Sequence, residues 1–182
     1  REAVVLNLVE RLDGRPSDFN AVPAVCAALG LACTGSPTDC LELTFDKWLT
    51  KARLQAWGVP VPTGAVIPMD MAPTLVQALP RYPVIVKPVS ADGSEGIGPE
   101  SVVGDDAALA SAVQSVHEGF RQPALVEEFV PGRELNVAIR EVAGEPVPLP
   151  ISEIDFSLFP TGRPRVVDYA VKWVPGTIPG HT

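Results

Sequence analysis

The sequence predicts a parallel α/β layer running into a small α+β unit, and three observations carry that expectation. Apolar, β-branched runs without polar alternation read as buried strands. Apolar residues recur at helical spacing between them. The second half arranges short strands around a glycine-rich loop and a single helix.

In chain order, Ala3-Val4-Val5-Leu6-Asn7-Leu8-Val9 reads as a buried, parallel strand. Val22, Val25 and Leu29 fall at helix spacing, and Gly30 stands where a C-terminal cap belongs. Residues 32–35 read as a second short strand, with a turn at Gly35-Ser36-Pro37. Residues 38–57 read as one helix, with Leu41, Phe45, Trp48, Leu49 and Leu54 near one face and Asp46, Lys47 and Lys51 elsewhere, ended by Gly58. Gly58-Val59-Pro60-Val61-Pro62-Thr63-Gly64 is a stiff connector that cannot continue a helix. Tyr82-Pro83-Val84-Ile85-Val86-Lys87-Pro88 is a strand that delivers a lysine at its end, followed by the loop from Ser90 to Gly98. A helix over 107–118, a strand over 124–130, a turn at Pro131-Gly132 and a strand over 134–140 complete the unit. The 20 prolines and 15 glycines are scattered among periodic segments, so neither a low-complexity tract nor a repeat is present.

Composition excludes several classes. Hydrophobic residues make up 46% of the 182 and charged ones 20%. No apolar run approaches the roughly 18 to 20 residues that span a bilayer, which predicts a soluble globular protein without a membrane partner. With 14 Lys and Arg against 22 Asp and Glu, the formal charge of -8 repels a polyanion, and no basic run offsets it, which argues against nucleic acid. Cys26, Cys33 and Cys40 form neither a CxxC pair nor a cluster with His, so they read as small apolar side chains in a reducing, cytoplasmic setting. The sequence opens on Arg1 without Met or signal peptide and closes on Gly180-His181-Thr182, which reads as a piece of a longer chain.

The segment from Lys87 to Gly98 is the first that carries chemistry. Three glycines and a serine let backbone N–H groups approach a phosphate where no Cβ intervenes. It is not a Walker loop, because the lysine precedes the glycines, and an ordinary hairpin loop is the alternative. Glu127-Glu128-Phe129-Val130, followed by Gly132-Arg133-Glu134, offers main-chain groups for a base edge and a carboxylate for ribose hydroxyls. A solvated acidic strand end is the bland reading. Lys47, Lys51 and Lys172, each alone, read as solvated surface lysines. His117, on the third helix, reads as a surface residue, and His181 as a group near the end of the Lys172 segment.

In order and approximate spacing, Thr34-Gly35-Ser36, Phe45-Asp46-Lys47 with Thr50-Lys51, Gly58-Val59-Pro60, Val84-Ile85-Val86-Lys87-Pro88, Gly93-Ser94, Val126-Glu127, Gly132-Arg133-Glu134 and Glu153-Ile154 resemble the D-alanine–D-alanine ligase family of ATP-grasp enzymes. The resemblance covers nearly the whole chain. It implies an incomplete ATP-grasp fold: the end of a Rossmann-like domain over 1–44, the small ATP-grasp domain over 45–132, and the start of the C-terminal domain over 133–182. It implies ATP and Mg2+ as cofactors, a small amino acid or peptide as substrate, and, because family members are often homodimers, a second copy of the chain as partner.

Carried over position by position, Lys47 and Lys87 would contact ATP phosphates, with the loop around Ser94 closing over them. Glu127 and the main chain of Glu128 and Val130 would hold adenine, and Glu134 the ribose hydroxyls. Lys172, on a mobile loop, would reach the γ-phosphate. Glu10 follows Asn7-Leu8-Val9 where the ligases usually have a histidine, which makes Glu10 the candidate substrate contact and argues against D-alanine. Ala91-Asp92-Gly93-Ser94-Glu95-Gly96 replaces the usual Gly-Ser-Ser-Val-Gly order, and Trp173 stands where a tyrosine is typical, so the contact between loops must be rebuilt around an indole N–H. The family's metal-binding carboxylates and asparagine, and its transition-state arginine, lie downstream of residue 182, so no metal ligand is expected within this chain. The expectation is an ATP-dependent carboxylate–amine ligase whose present piece binds nucleotide without turning over. A non-catalytic ATP-binding module, or another ATP-grasp phosphoryl transferase, is the alternative.

Overall fold

The fold is that of a computed structural model, which describes residues 3–10, 12, 18–73 and 80–177. Strand β1 (Val4–Val5) pairs in parallel with β2 (Ala32–Cys33) through helix α1 (Ala21–Ala28), in the register Val4↔Ala32 and Val5↔Cys33. The parallel pairing matches the sequence expectation, but the strand is far shorter than residues 3–9, and burial does not follow. Val4, Leu6 and Leu8 are 64%, 69% and 80% exposed, because only a two-residue partner strand lies beside β1 and no second layer covers it among the described residues.

The helix expected over 38–57 is two helices, α2 (Thr38–Phe45) and α3 (Lys47–Ala56). The break falls at Asp46, whose extended backbone makes a β-bridge with Ser90 and whose carboxylate accepts from Trp48 N and Leu49 N, both at 2.9 Å. Aspartate favours an N-cap over a helix interior, and the end of the next strand supplies a competing main-chain partner: Lys47 N donates to Val89 O at 3.0 Å. The new helix therefore starts at Lys47, which fixes where that side chain points.

The core is a four-stranded antiparallel sheet in the order β3-β6-β4-β5, from β3 (Gly64–Ile67), β4 (Val84–Pro88), β5 (Val102–Val103) and β6 (Ala124–Glu128). Helix α4 (Asp106–Phe120), capped by Asp105, lays Leu109, Val113 and Val116 on one face of it. Val84, Val86, Ala124 and Val126 meet that helix, so the two-residue period turns Ile85, Lys87, Leu125 and Glu127 to the opposite face. Ile85 stands opposite Glu127 and Lys87 opposite Leu125, which makes Lys87 and Glu127 diagonal neighbours within reach of long side chains. Strand β3 lay hidden in the sequence behind the connector. Gly64 lets it come close: a Cβ there would sit 2.7 Å from Val126 O and 2.8 Å from Glu127 Cβ.

Beyond the sheet, β7 (Leu135–Asn136) pairs with β10 (Ser152–Glu153), and β8 (Ile139–Val142) forms a hairpin with β9 (Glu145–Pro148). The single strand expected over 134–140 is thus divided between two pairs. Helix α5 (Tyr169–Trp173) follows. Among the described residues no helix is long and apolar enough to cross a membrane.

Candidate functional site

On the sheet face away from α4, three lysines gather around one carboxylate. Lys87 Nζ lies 2.5 Å from Glu127 Oε1, and Lys51 Nζ, from the second turn of α3, lies 2.8 Å from Glu127 Oε2. Lys51 also donates to the Pro62 carbonyl, and Lys47 to the Ala91 carbonyl at the root of the glycine loop. Burial pushes the Glu127 carboxyl up, but Lys87 and Lys51 outweigh it and hold the group below the ordinary carboxylate range. Lys47 is brought down to about 8, first by burial and then by repulsion from Lys87, against the pull of Asp92, Glu127 and Asp46. Three ammonium groups thus lie among the carboxylates of Glu127, Asp92 and Asp46, compact point charges of the kind that can meet a phosphate.

The edge beyond β6 is more open. Glu128 N donates to Thr63 O at 2.8 Å, so its main-chain contribution to a base is confined to the carbonyl. Val130 is 59% exposed. Glu134 is half-buried, its carboxyl raised by that burial, and its carbonyl accepts from Ile154 N at 2.9 Å. Arg133 forks onto Glu153 at 2.8 and 2.7 Å, an exposed pair that ties this turn to β10 and adds little stability.

The loop over 89–98 runs from the lysine cluster to a second group of contacts. Its root is held by Gln122, which accepts from Ser90 N at 2.6 Å and donates to Ser90 O at 2.9 Å. Ser94 has φ +65, unusual for a residue with a Cβ, and its hydroxyl donates to Val167 O at 2.8 Å. Gly96 at φ +72 admits no side chain, since a Cβ would meet Pro88 Cγ at 2.5 Å and the Phe120 ring at 2.9 Å. Trp173 Nε1 donates to Gly93 O at 2.7 Å, and Tyr169 N to Ile97 O at 3.0 Å. These three hydrogen bonds latch the loop to α5 and to Val167 just ahead of it. The rebuilt contact that Trp173 demands is therefore a side-chain donor on a main-chain acceptor.

Lys172 lies on α5, a five-residue helix where the sequence reading had a mobile loop, and its ammonium rests 5.3 Å above the Trp173 ring, exposed. Asp168 starts that helix: it is fully buried, accepts from Val171 N at 2.9 Å and pairs with Arg163 Nη2 at 2.5 Å. A cleft of about 1110 Å³ opens between α5, the loop and the N-terminal part, lined among others by Asn7, Glu10, Ser36, Gly93, Lys172 and Trp173.

Of the residues singled out in the sequence, Lys47, Lys87 and Glu127 thus share one charge cluster, and Glu10 and Lys172 both line the larger cleft. Glu128, Val130 and Glu134 follow along the strand end. In the sequence Lys51 reads only as a surface lysine, although its four-residue spacing from Lys47 puts both on one face of α3. Asp168 and Arg163 are not signalled as a pair, the one local sign being an aspartate three residues before Val171. His117 is half-buried, its Nε2 3.2 Å from Ile67 O, and so is a packing residue more than a surface one. His181 lies outside the described residues. Among the described residues no group of three or more His, Cys, Asp or Glu side chains converges.

Residues 65–178 match the family model described as D-ala D-ala ligase C-terminus, and the chain belongs to this family. The uncharacterized protein y4sG of Sinorhizobium fredii is 36% identical over 136 residues, covering 75% of this chain and 38% of that protein. The D-alanine–D-alanine ligase of Syntrophotalea carbinolica is 31% identical over 167 residues, covering 91% of this chain and 49% of that enzyme. The chain therefore spans half or less of the length of these relatives. In structure it is similar to the VanG D-Ala:D-Ser ligase of Enterococcus faecalis, with a TM-score of 0.69 and 23% identity over 86% of this chain and 45% of that one. The shared architecture is the ATP-grasp fold, present here in part.

Proposed function

We propose that this chain is the nucleotide-holding part of an ATP-dependent carboxylate–amine ligase. The observation that supports this reading is the pairing of Lys87 and Lys51 with Glu127, with Lys47 in the same charge cluster and donating to the Ala91 carbonyl of the glycine loop. In this reading Lys47 and Lys87 take the phosphates and the loop around Ser94 covers them. Glu127, the Glu128 carbonyl and the Val130 main chain hold adenine, and Glu134 the ribose. Lys172 swings from above Trp173 to the γ-phosphate, and Glu10 faces the amino-acid or peptide substrate across the cleft.

The γ-phosphoryl group passes to a substrate carboxylate oxygen, giving an acyl phosphate and ADP. An amine then attacks the acyl carbon, expels inorganic phosphate, and loses a proton as the amide forms. Lysines lower the barrier by neutralising charge that develops on the transferring group, with little covalent work of their own. Mg2+ would add to that neutralisation, but the described residues offer it no assembled ligand set, so every contact above is one of the chain's own groups. The boundaries we assign are 1–44, 45–132 and 133–182. A cytoplasmic setting and a homodimer belong to the same reading.

The test is the full-length protein with ATP, Mg2+ and a panel of amino acids and dipeptides, following ADP, phosphate and amide together. Stoichiometric ADP, phosphate and amide for at least one pair is expected. ADP with a phosphorylated product and no amide would replace this reading by another phosphoryl transfer. Nucleotide binding with no ADP from any pair would leave a binding module.

A further inference from the structure

The two lysines that grip Glu127 are not equivalent. Lys51 is 7% exposed and joins three elements: its own helix α3, the Pro62 carbonyl ahead of β3, and Glu127 on β6. Reaching elsewhere would break both contacts at once. Lys87 stands at the end of β4, at the mouth of the glycine loop, with a side chain 19% exposed and Glu127 as its ion-pair partner. Of the two, Lys87 can turn toward a phosphate, and when it does Glu127 Oε1 loses its donor. A buried carboxylate with one oxygen newly open is an acceptor site for a donor on the ligand.

We propose that Lys51 is a positioning residue for base selection: it clamps Glu127 Oε2 so that Oε1, once Lys87 leaves for the phosphates, is presented to an exocyclic amino group. This rests on the reading of Glu127 as the adenine contact given above. The selection is chemical. A carboxylate oxygen accepts from the 6-amino group of adenine and repels the carbonyl oxygen that inosine carries at the same position. Without Lys51, the carboxylate left behind by Lys87 would be buried with no ion-pair partner, since Lys47 is held by the Ala91 carbonyl, and burial, which pushes this group upward, would favour its protonated form. A protonated Glu127 can donate as well as accept, so the preference for an amino group collapses.

The experiment measures equilibrium binding of ATP and of inosine triphosphate to the full-length protein. In Lys51→Met, ATP affinity should fall about tenfold, the loss of a hydrogen bond to a charged group, while inosine triphosphate affinity holds or rises as the repulsion of its carbonyl oxygen is relieved. The ATP preference that remains should weaken further as pH falls. Lys51→Arg should restore most of the wild-type ratio. Glu127→Gln, which offers both a donor and an acceptor, should bring the ratio close to one, and adding Lys51→Met to it should change the ratio no further. The double variant leaves no unpaired charge from the Lys51–Glu127 pair, so it gives an answer even if Lys51→Met alone does not fold. Equal weakening of both nucleotides in Lys51→Met, or a further fall of the ratio in the double variant, would overturn the role of Lys51 and leave Glu127 as the adenine contact. An unchanged ratio in Glu127→Gln would remove that contact, and the role of Lys51 with it.

Discussion

The lysine cluster under the central sheet and the latch between the 92–98 loop and α5 differ in what holds them. In the cluster, side chains 8% to 19% exposed are joined charge to charge, Lys87 and Glu127 on strands whose other face is core and Lys51 on α3. In the latch, an indole N–H, a hydroxyl and a main-chain N–H each reach a carbonyl, Trp173 is 49% exposed, and no ion pair crosses between the two segments among the described residues. A salt bridge in a poorly solvated site is costly to break, whereas a hydrogen bond near the surface exchanges readily with water. The first arrangement suits groups that must already be in place when an anion arrives, and the second suits a cover that must let it in and out. Among the described residues, the foot of α5 is fixed by a buried ion pair, Arg163 with Asp168.

That pair gives the largest effect. Asp168→Ala removes the N-cap of α5 and leaves Arg163 without its partner, at a cost of about 3 kcal/mol. The loss should be local. Hydrogen exchange should speed up over residues 163–177, while amides of β4 and β6 keep their wild-type rates. Equal acceleration in the sheet would break the comparison, since the two regions would then open as one unit.

The legibility of the sequence divides along the same line. The two inner strands of the sheet and its helix are readable because Val84, Val86, Leu109, Val113, Val116 and Val126 keep strict periodicity, and that core fixes where Lys87 and Glu127 point, whereas the edge strands β3 and β5 are too short to signal themselves. The split at Asp46 was not readable, because the apolar pattern runs through it unbroken and the deciding partner, the main chain at Val89 and Ser90, is more than 40 residues away. Neither was the burial of Lys51, which depends on a carboxylate 76 positions later. The apolar start at residues 3–9 misled because composition signals a strand's preference for cover, and cover comes from neighbours that local sequence does not describe. The latch was half legible: a tryptophan after Lys172 signals a donor, but its acceptor is a carbonyl, which every residue has.

A second prediction sharpens the charge side. Lys47 titrates at about 8 in the folded protein against 10.5 in its ordinary state, lowered first by burial and then by Lys87. Below pH 8 both folded and unfolded chains carry the proton, and the penalty of burying it is constant. Between about 8 and 10.5 the unfolded chain binds more protons than the folded one, so stability relative to Lys47→Met should rise with pH across that window and level off above it. A triphosphate placed beside Lys47 favours the ammonium, so binding near pH 8 should take up protons, visible by calorimetry in buffers of different ionisation enthalpy. Affinity should fall above pH 8 by at most about tenfold per pH unit. Lys47→Arg should flatten that fall, since a guanidinium stays charged throughout. An affinity level from pH 7 to pH 9.5 in the unmodified protein would separate Lys47 from the phosphates, however close it lies to Lys87.

The smallest effect tests the latch. Trp173→Phe keeps the ring beside Gly93 and removes the N–H that meets its carbonyl, so the packing term is nearly unchanged while one hydrogen bond is lost. Because water can take its place at this exposed position, the cost should be about 1 kcal/mol. It should appear as roughly fivefold faster exchange of the Glu95 and Ile97 amides, whose acceptors, Asp92 O and Ser94 O, lie inside the same loop. Ser94→Ala, which removes the donor to Val167, should give a similar change, and the two together should exceed either alone. If Trp173→Phe instead leaves the loop amides unaltered, the loop is held by its own left-handed turns and by the Gln122 root, and the contrast between a fixed charge cluster and a releasable cover loses its second half.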